Sequence, residues 1–102
     1  MLNLNDLAEQ SLAITKQREL EVDGLATLKH CAGEVVEATE AFTAIYTAGD
    51  FFRAQERKQD YAYELADIII CALTASYEAG INIEEALSEA MQKNARRAYE
   101  NT

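Results

Sequence analysis

From Leu25 to Tyr46 the positions Leu25, Leu28, Ala32, Val35, Thr39, Phe42 and Tyr46 advance in alternating steps of three and four. Only an α-helix collects such positions on one side, and the side they form is a seam for packing against other helices. An isolated amphipathic helix is marginal in water and takes its stability from burial of that seam. The chain therefore has to supply partner helices, and its composition allows them. Its 102 residues contain no proline, the strongest helix breaker, and the helix formers Ala, Leu, Glu and Gln recur throughout. An all-α fold follows, a four-helix bundle-type unit with short connections.

Four helical segments can be placed. The first covers Leu4 to about Leu20, with Leu4, Leu7, Ser11 and Ile14 at helical spacing and Asn3 or Asn5 as cap. The second covers Gly24 to about Ala48, capped by Asp23 and stopped by Gly49. Asp50 to Asp60 reads equally as a charged loop or as the opening of the third helix, which runs on from Tyr61 to Ala79 and ends at Gly80. Asn82 caps the fourth helix, with Glu85 three residues on as in a capping box, and that helix reaches about Tyr99.

A chain of this length suits one domain, residues 1–102, and buries only a modest core by itself. Eighteen acidic residues against nine basic ones leave a net charge of −9. Such a field disfavours nucleic-acid backbones and anionic membranes as partners. The start, MLNLNDLAEQ, does not read as a signal peptide, and the apolar run around IIICAL is too short to span a bilayer. Cys31 and Cys71 lack CxxC spacing and read as small buried hydrophobes in a reducing, cytoplasmic setting.

Two acidic pairs do not fit a solvated face. Glu34 and Glu37 lie one turn apart on the second helix. Glu64 and Asp67 repeat the arrangement on the third, after the intervening positions 38–63. ExxE alone is common on exposed helix faces. ExxD within YELADIIICALTA is different, because that stretch is apolar nearly all round and such a helix is normally buried. Ionised carboxylates there are costly unless paired, and neither a Lys nor an Arg lies within one turn of them. A cation shared by the two facing pairs resolves the conflict. All four ligands, Glu34, Glu37, Glu64 and Asp67, are oxygens, which suits Mg²⁺, or Mn²⁺, rather than Zn²⁺. Glu40, one turn beyond Glu37, is a further ligand or an outer neighbour.

The fourth helix ends in MQKNARRAYE, where Lys93, Arg96 and Arg97 share a face beside Asn94. Cations near a helix C-terminus are ordinary. Beside an acidic metal site they also form the complement of a polyphosphate.

With GEVVEATEA, YELADIII, GINIEEAL and KNARR in this order, the sequence resembles the MazG-like all-α nucleoside triphosphate pyrophosphohydrolases over about Leu28 to Arg97. The resemblance implies a four-helix unit that assembles as a homodimer or homotetramer. It implies Mg²⁺-dependent cleavage of a nucleoside triphosphate to the monophosphate and pyrophosphate. By position, Glu34, Glu37, Glu64 and Asp67 correspond to metal ligands, and Lys93, Asn94 and Arg97 to phosphate contacts. Water would attack the α-phosphorus, with Glu37 or Glu34 orienting it or taking its proton. His30, one turn before Glu34, is placed to reach the nucleotide. Tyr46, Phe51, Phe52 or Tyr61 are candidates to stack on a base, and Gln10 and Gln17 to read its edge. One departure stands out: the family often opens its first motif with a doubled acid, and here that position is Gly33, which removes one carboxylate and leaves the number of ions open. The alternative reading is a bundle of the same fold that binds a nucleotide or a partner without turnover. A histidine phosphotransfer module built on His30 gives Glu64 and Asp67 no role. A di-iron bundle wants Glu-x-x-His, and Thr27 stands three before His30.

Overall fold

A computed structural model describes residues 3–17 and 24–100. Over that range the chain is four α-helices: α1 (Leu4–Gln17), α2 (Gly24–Tyr46), α3 (Phe51–Glu78) and α4 (Ile83–Glu100). Among the described residues there is no strand. Asp23 as a cap and Leu20 as the end of the first helix lie outside the described residues.

Local chemistry sets the helix ends. Asn3 caps α1, its Oδ1 accepting from the Asp6 amide at 3.2 Å. The charged segment from Asp50 is not a loop. Gly49 takes a left-handed φ of 85° to turn the chain out of α2. Asp50 then sits in extended conformation and accepts from the Arg53 amide at 2.9 Å, so α3 starts at Phe51. Arg57, one and a half turns into α3, donates to the Ala44 carbonyl at 2.6 Å and ties the two helices together near their connection. At the far end Gly80, at φ 69°, donates to the Tyr77 carbonyl while Ile81 donates to that of Ser76. This pair of bonds is a Schellman stop. Asn82 caps α4, accepting from the Glu85 amide at 3.2 Å.

α3 is the central element, with α2 and α1 packed along it and α4 in contact with α1 and α3. Polar ties bring distant segments together. The Thr27 hydroxyl donates to Glu78 Oε1 at 2.7 Å, joining the start of α2 to the end of α3. The hydroxyls of Ser11 and Thr74 meet at 2.8 Å in the buried contact of α1 with α3. Asn5 gathers the α4 end: its Nδ2 donates to Asn82 and its Oδ1 accepts from the Ile83 amide.

Two expectations need correction. The apolar stretch of α3 is not buried all round: Cys71 and Leu73 are buried, whereas Leu65, Ile69 and Ile70 are exposed in the single chain. Three helices cannot enclose a helix that is apolar on every side when one of them touches it only near a turn. The four helices also do not close into a bundle. α4 leaves α3 across a 116° bend and no residue of it is buried. α4 makes no packing contact with α2. The radius of gyration is 16.5 Å, against about 13 Å for a compact chain of this length. No single helix among the described residues is long and apolar enough to cross a membrane; α3 and α4 reach that threshold only when counted together across their bend.

Candidate metal centre

Glu34 and Glu37 project from α2 toward α3, and the α2–α3 packing brings Glu64 to meet them. One carboxylate oxygen from each of Glu34, Glu37 and Glu64 lies within 4.8 Å of the others. Asp67 stands beside this group. Its charge acts on both Glu34 and Glu64, although its oxygens are not among the three that converge. Glu40 is exposed and also outside the group.

The electrostatics are those of a site short of positive charge. Burial first, then the charges of Glu37 and Asp67, push the Glu34 carboxyl above the usual carboxylate range, against the pull of His30. Burial first, then Glu37, Glu34 and Asp67, push Glu64 in the same direction. Glu37, itself exposed, lies close enough to raise both. Oε2 of Glu34 and Oε2 of Glu64 are buried without a hydrogen-bond partner. Buried carboxylate oxygens are seldom left so. A hard cation supplies what both lack, and three converging carboxylates are the donor set such an ion takes. The residues present therefore fit a divalent metal.

The other predicted residues are distributed unevenly. His30 Nε2 lies 3.1 Å from Glu34 Oε1 at the edge of the site. Cys71 is buried behind it with Cys31 alongside, and burial, with Cys31 next in effect, pushes its thiol up to about 12. Lys93, Asn94 and Arg97 lie exposed on α4. Two helical legs of about 20 Å meeting at the 116° bend leave Lys93 roughly 20 Å from Asp67 along the backbone axes. The fold of one chain does not bring the basic cluster to the acids. Phe51 and Phe52 meet edge to face at the exposed start of α3, and Tyr46 is also exposed. Gln10 is exposed on α1, and the side chain of Gln17 lies outside the described residues.

Sequence reasoning missed a cleft. Val35, Ala38, Thr39 and Phe42 of α2 and Tyr61, Leu65 and Ile68 of α3 line a shallow, mostly apolar hollow of ≈ 370 Å³. Phe42 and Tyr61 meet edge to face there, with ring centroids 5.5 Å apart. Each lining position neighbours the acidic pairs in sequence, but only the α2–α3 packing turns them into one surface.

The MazG nucleotide pyrophosphohydrolase domain model matches residues 23–100, three of the four helices and every residue of the site. The chain belongs to the MazG family. No curated protein and no solved structure was found to match it. MazG membership accords with the all-α architecture. The family is one of nucleotide pyrophosphohydrolases, and this chain has acidic residues that could hold a metal. α1 lies outside the matched range.

Proposed function

We propose that the protein hydrolyses a nucleoside or deoxynucleoside triphosphate to the monophosphate and pyrophosphate, with Mg²⁺ as its metal and Mn²⁺ as a substitute. The observation that carries this reading is the convergence of Glu34, Glu37 and Glu64 with two buried oxygens lacking partners. Glu34, Glu64 and Glu37, with Asp67 beside them, would hold the ion. When bound, it neutralises phosphate charge and polarises the phosphoryl group under attack.

The chain's own groups do the rest. The hollow lined by Phe42 and Tyr61 takes the base by apolar and edge-on aromatic contact and so fixes the triphosphate over the acids. Glu37 is the exposed member of the cluster. It orients the attacking water and takes its proton as the new P–O bond forms at the α-phosphorus, while the bond to the bridging oxygen breaks and pyrophosphate leaves. Glu34 is itself held by His30 at 3.1 Å. Lys93, Asn94 and Arg97 offset charge on the departing pyrophosphate. Because α4 stands away from the acids of its own chain, that contact is made within a homodimer or homotetramer. The substrate pool implied is cytoplasmic.

The test is to incubate the purified protein with a panel of nucleoside and deoxynucleoside triphosphates and Mg²⁺, separating products by chromatography. Monophosphate and pyrophosphate in equal amounts are expected from at least one substrate. Their absence across the panel sinks the enzymatic reading. Gly33 favours a second reading, a nucleotide- or partner-binding bundle without turnover, because it leaves the metal site one carboxylate poorer than the family's doubled motif. Saturable nucleotide binding without product would select it.

A further inference from the structure

The acids are not the only donors that converge between α2 and α3. One ring nitrogen of His30, one oxygen of Glu34 and the sulfur of Cys71 all lie within 4.8 Å of one another. We infer that His30, Glu34 and Cys71 form a second metal site, for a borderline-soft divalent ion of the zinc class, which shares Glu34 with the acidic centre.

The geometry and the chemistry of the donors support it. His30 and Glu34 are four residues apart, so one face of α2 presents both, with Nε2 and Oε1 already 3.1 Å apart. Tetrahedral zinc bonds of about 2.0–2.3 Å hold ligand atoms roughly 3.3–3.8 Å from each other, so the third ligand has to close by about an ångström. Nitrogen, oxygen and sulfur together make a donor set that Mg²⁺ does not take and zinc does. Glu34 Oε2 is among the buried oxygens without a partner. His30 is exposed, which opens a path for the ion, while Cys71 anchors the inner side. The fourth position is left to solvent, with the Cys31 thiol next to that of Cys71. On coordination the Cys71 thiol gives up its proton to solvent and the sulfur becomes the ligand. Sharing Glu34 makes the two sites antagonistic, so a zinc-class ion draws this carboxylate away from the acidic centre.

Co²⁺ is the probe, because a cobalt–thiolate bond gives a near-ultraviolet charge-transfer band that carboxylates alone do not give. The protein is reduced, freed of metal and titrated with Co²⁺. The band is expected to saturate at one equivalent and to be displaced by Zn²⁺ but not by Mg²⁺. Cys71→Ser should abolish it. His30→Ala, at an exposed position that the fold does not depend on, should weaken Co²⁺ binding by at least about tenfold, the scale on which loss of even an outer neighbour is felt. The Glu37→Gln, Glu64→Gln double variant should keep the band while losing Mn²⁺ binding, which separates this site from the acidic centre on which the proposed hydrolysis rests. No band in the unaltered protein, the same band in Cys71→Ser, or unchanged affinity in His30→Ala each overturns the assignment, whatever the hydrolysis assay shows.

Discussion

Glu64 shows how one residue concentrates the chemistry of the site. Burial and three neighbouring acids raise its pKa above the usual carboxylate range, and Glu34 is raised in the same direction. A carboxyl with a raised folded-state pKa binds its proton more tightly when folded than when unfolded. Its contribution to stability is therefore favourable relative to neutral pH while the pH is low, and falls as pH rises from about 4.5 through the folded pKa. The metal-free protein should lose stability over that window on account of these two groups. Mg²⁺ should restore it, so the rise in melting temperature on adding Mg²⁺ is expected to be larger at pH 7 than near pH 4.5; calorimetry at the two pH values checks this. Glu64→Gln removes charge and repulsion together. It should abolish hydrolysis in the presence of Mg²⁺ yet leave the metal-free helices at least as stable, measured by turnover and by circular dichroism melts. Gly33 is the complementary case. A Cβ added there meets nothing within 4 Å, so Gly33→Glu restores the family's doubled acid without a clash. Replacing a mid-helix glycine should also stabilise α2 by about 0.5–1 kcal/mol. Tighter Mn²⁺ binding by calorimetry, together with a higher melting temperature, is the expected result.

At the scale of the element, the helix ends decide where the site residues face. The Schellman turn at Gly80 sets the direction in which α4 leaves α3, and with it the position of Lys93 and Arg97. Gly80 holds φ at 69°, where a Cβ costs roughly 1–2 kcal/mol. Gly80→Ala should lower the melting temperature by about 4–16 °C for a domain of this size, at about 4–8 °C per kcal/mol, read in a thermal melt. Asp50 was ambiguous in sequence, standing either in a loop or at the mouth of a helix. The bond from the Arg53 amide shows that it is the cap. That bond starts α3 nearly three turns ahead of Tyr61.

At the scale of the molecule, the chain is too open to be its own environment. A radius of gyration of 16.5 Å goes with exposed Val36, Ile69, Ile70, Leu87 and Met91. Apolar area of this kind stabilises only when it is covered. The cover proposed is a second copy of the chain, which also brings a basic cluster to each acidic centre. Sedimentation should then give a mass that is a multiple of the 11.3 kDa chain. Leu87→Glu with Met91→Glu should shift the protein to monomer and lower hydrolysis with it. A monomer at micromolar concentration in the unaltered protein would remove this part of the mechanism.

The sequence by itself determined the four helices, their capping residues Asn82 and Gly80, and the two acidic pairs. All of these rest on short-range periodicity and turn chemistry, which act within a few residues. Its account of why Glu64 matters was sound in direction but incomplete in cause. The apolar run around it is only partly covered in one chain, and the raised pKa comes first from burial and then from acids of the facing helix. Those acids lie about thirty positions away, and no periodicity measures the distance between them. The tertiary structure alone decided that three carboxylates converge with Asp67 at their side. It also placed Cys71 behind His30, opened an aromatic cleft beside the acids, and kept Lys93 apart from them. Each of these depends on how two helices lie against each other, a property of packing between surfaces rather than of spacing along the chain.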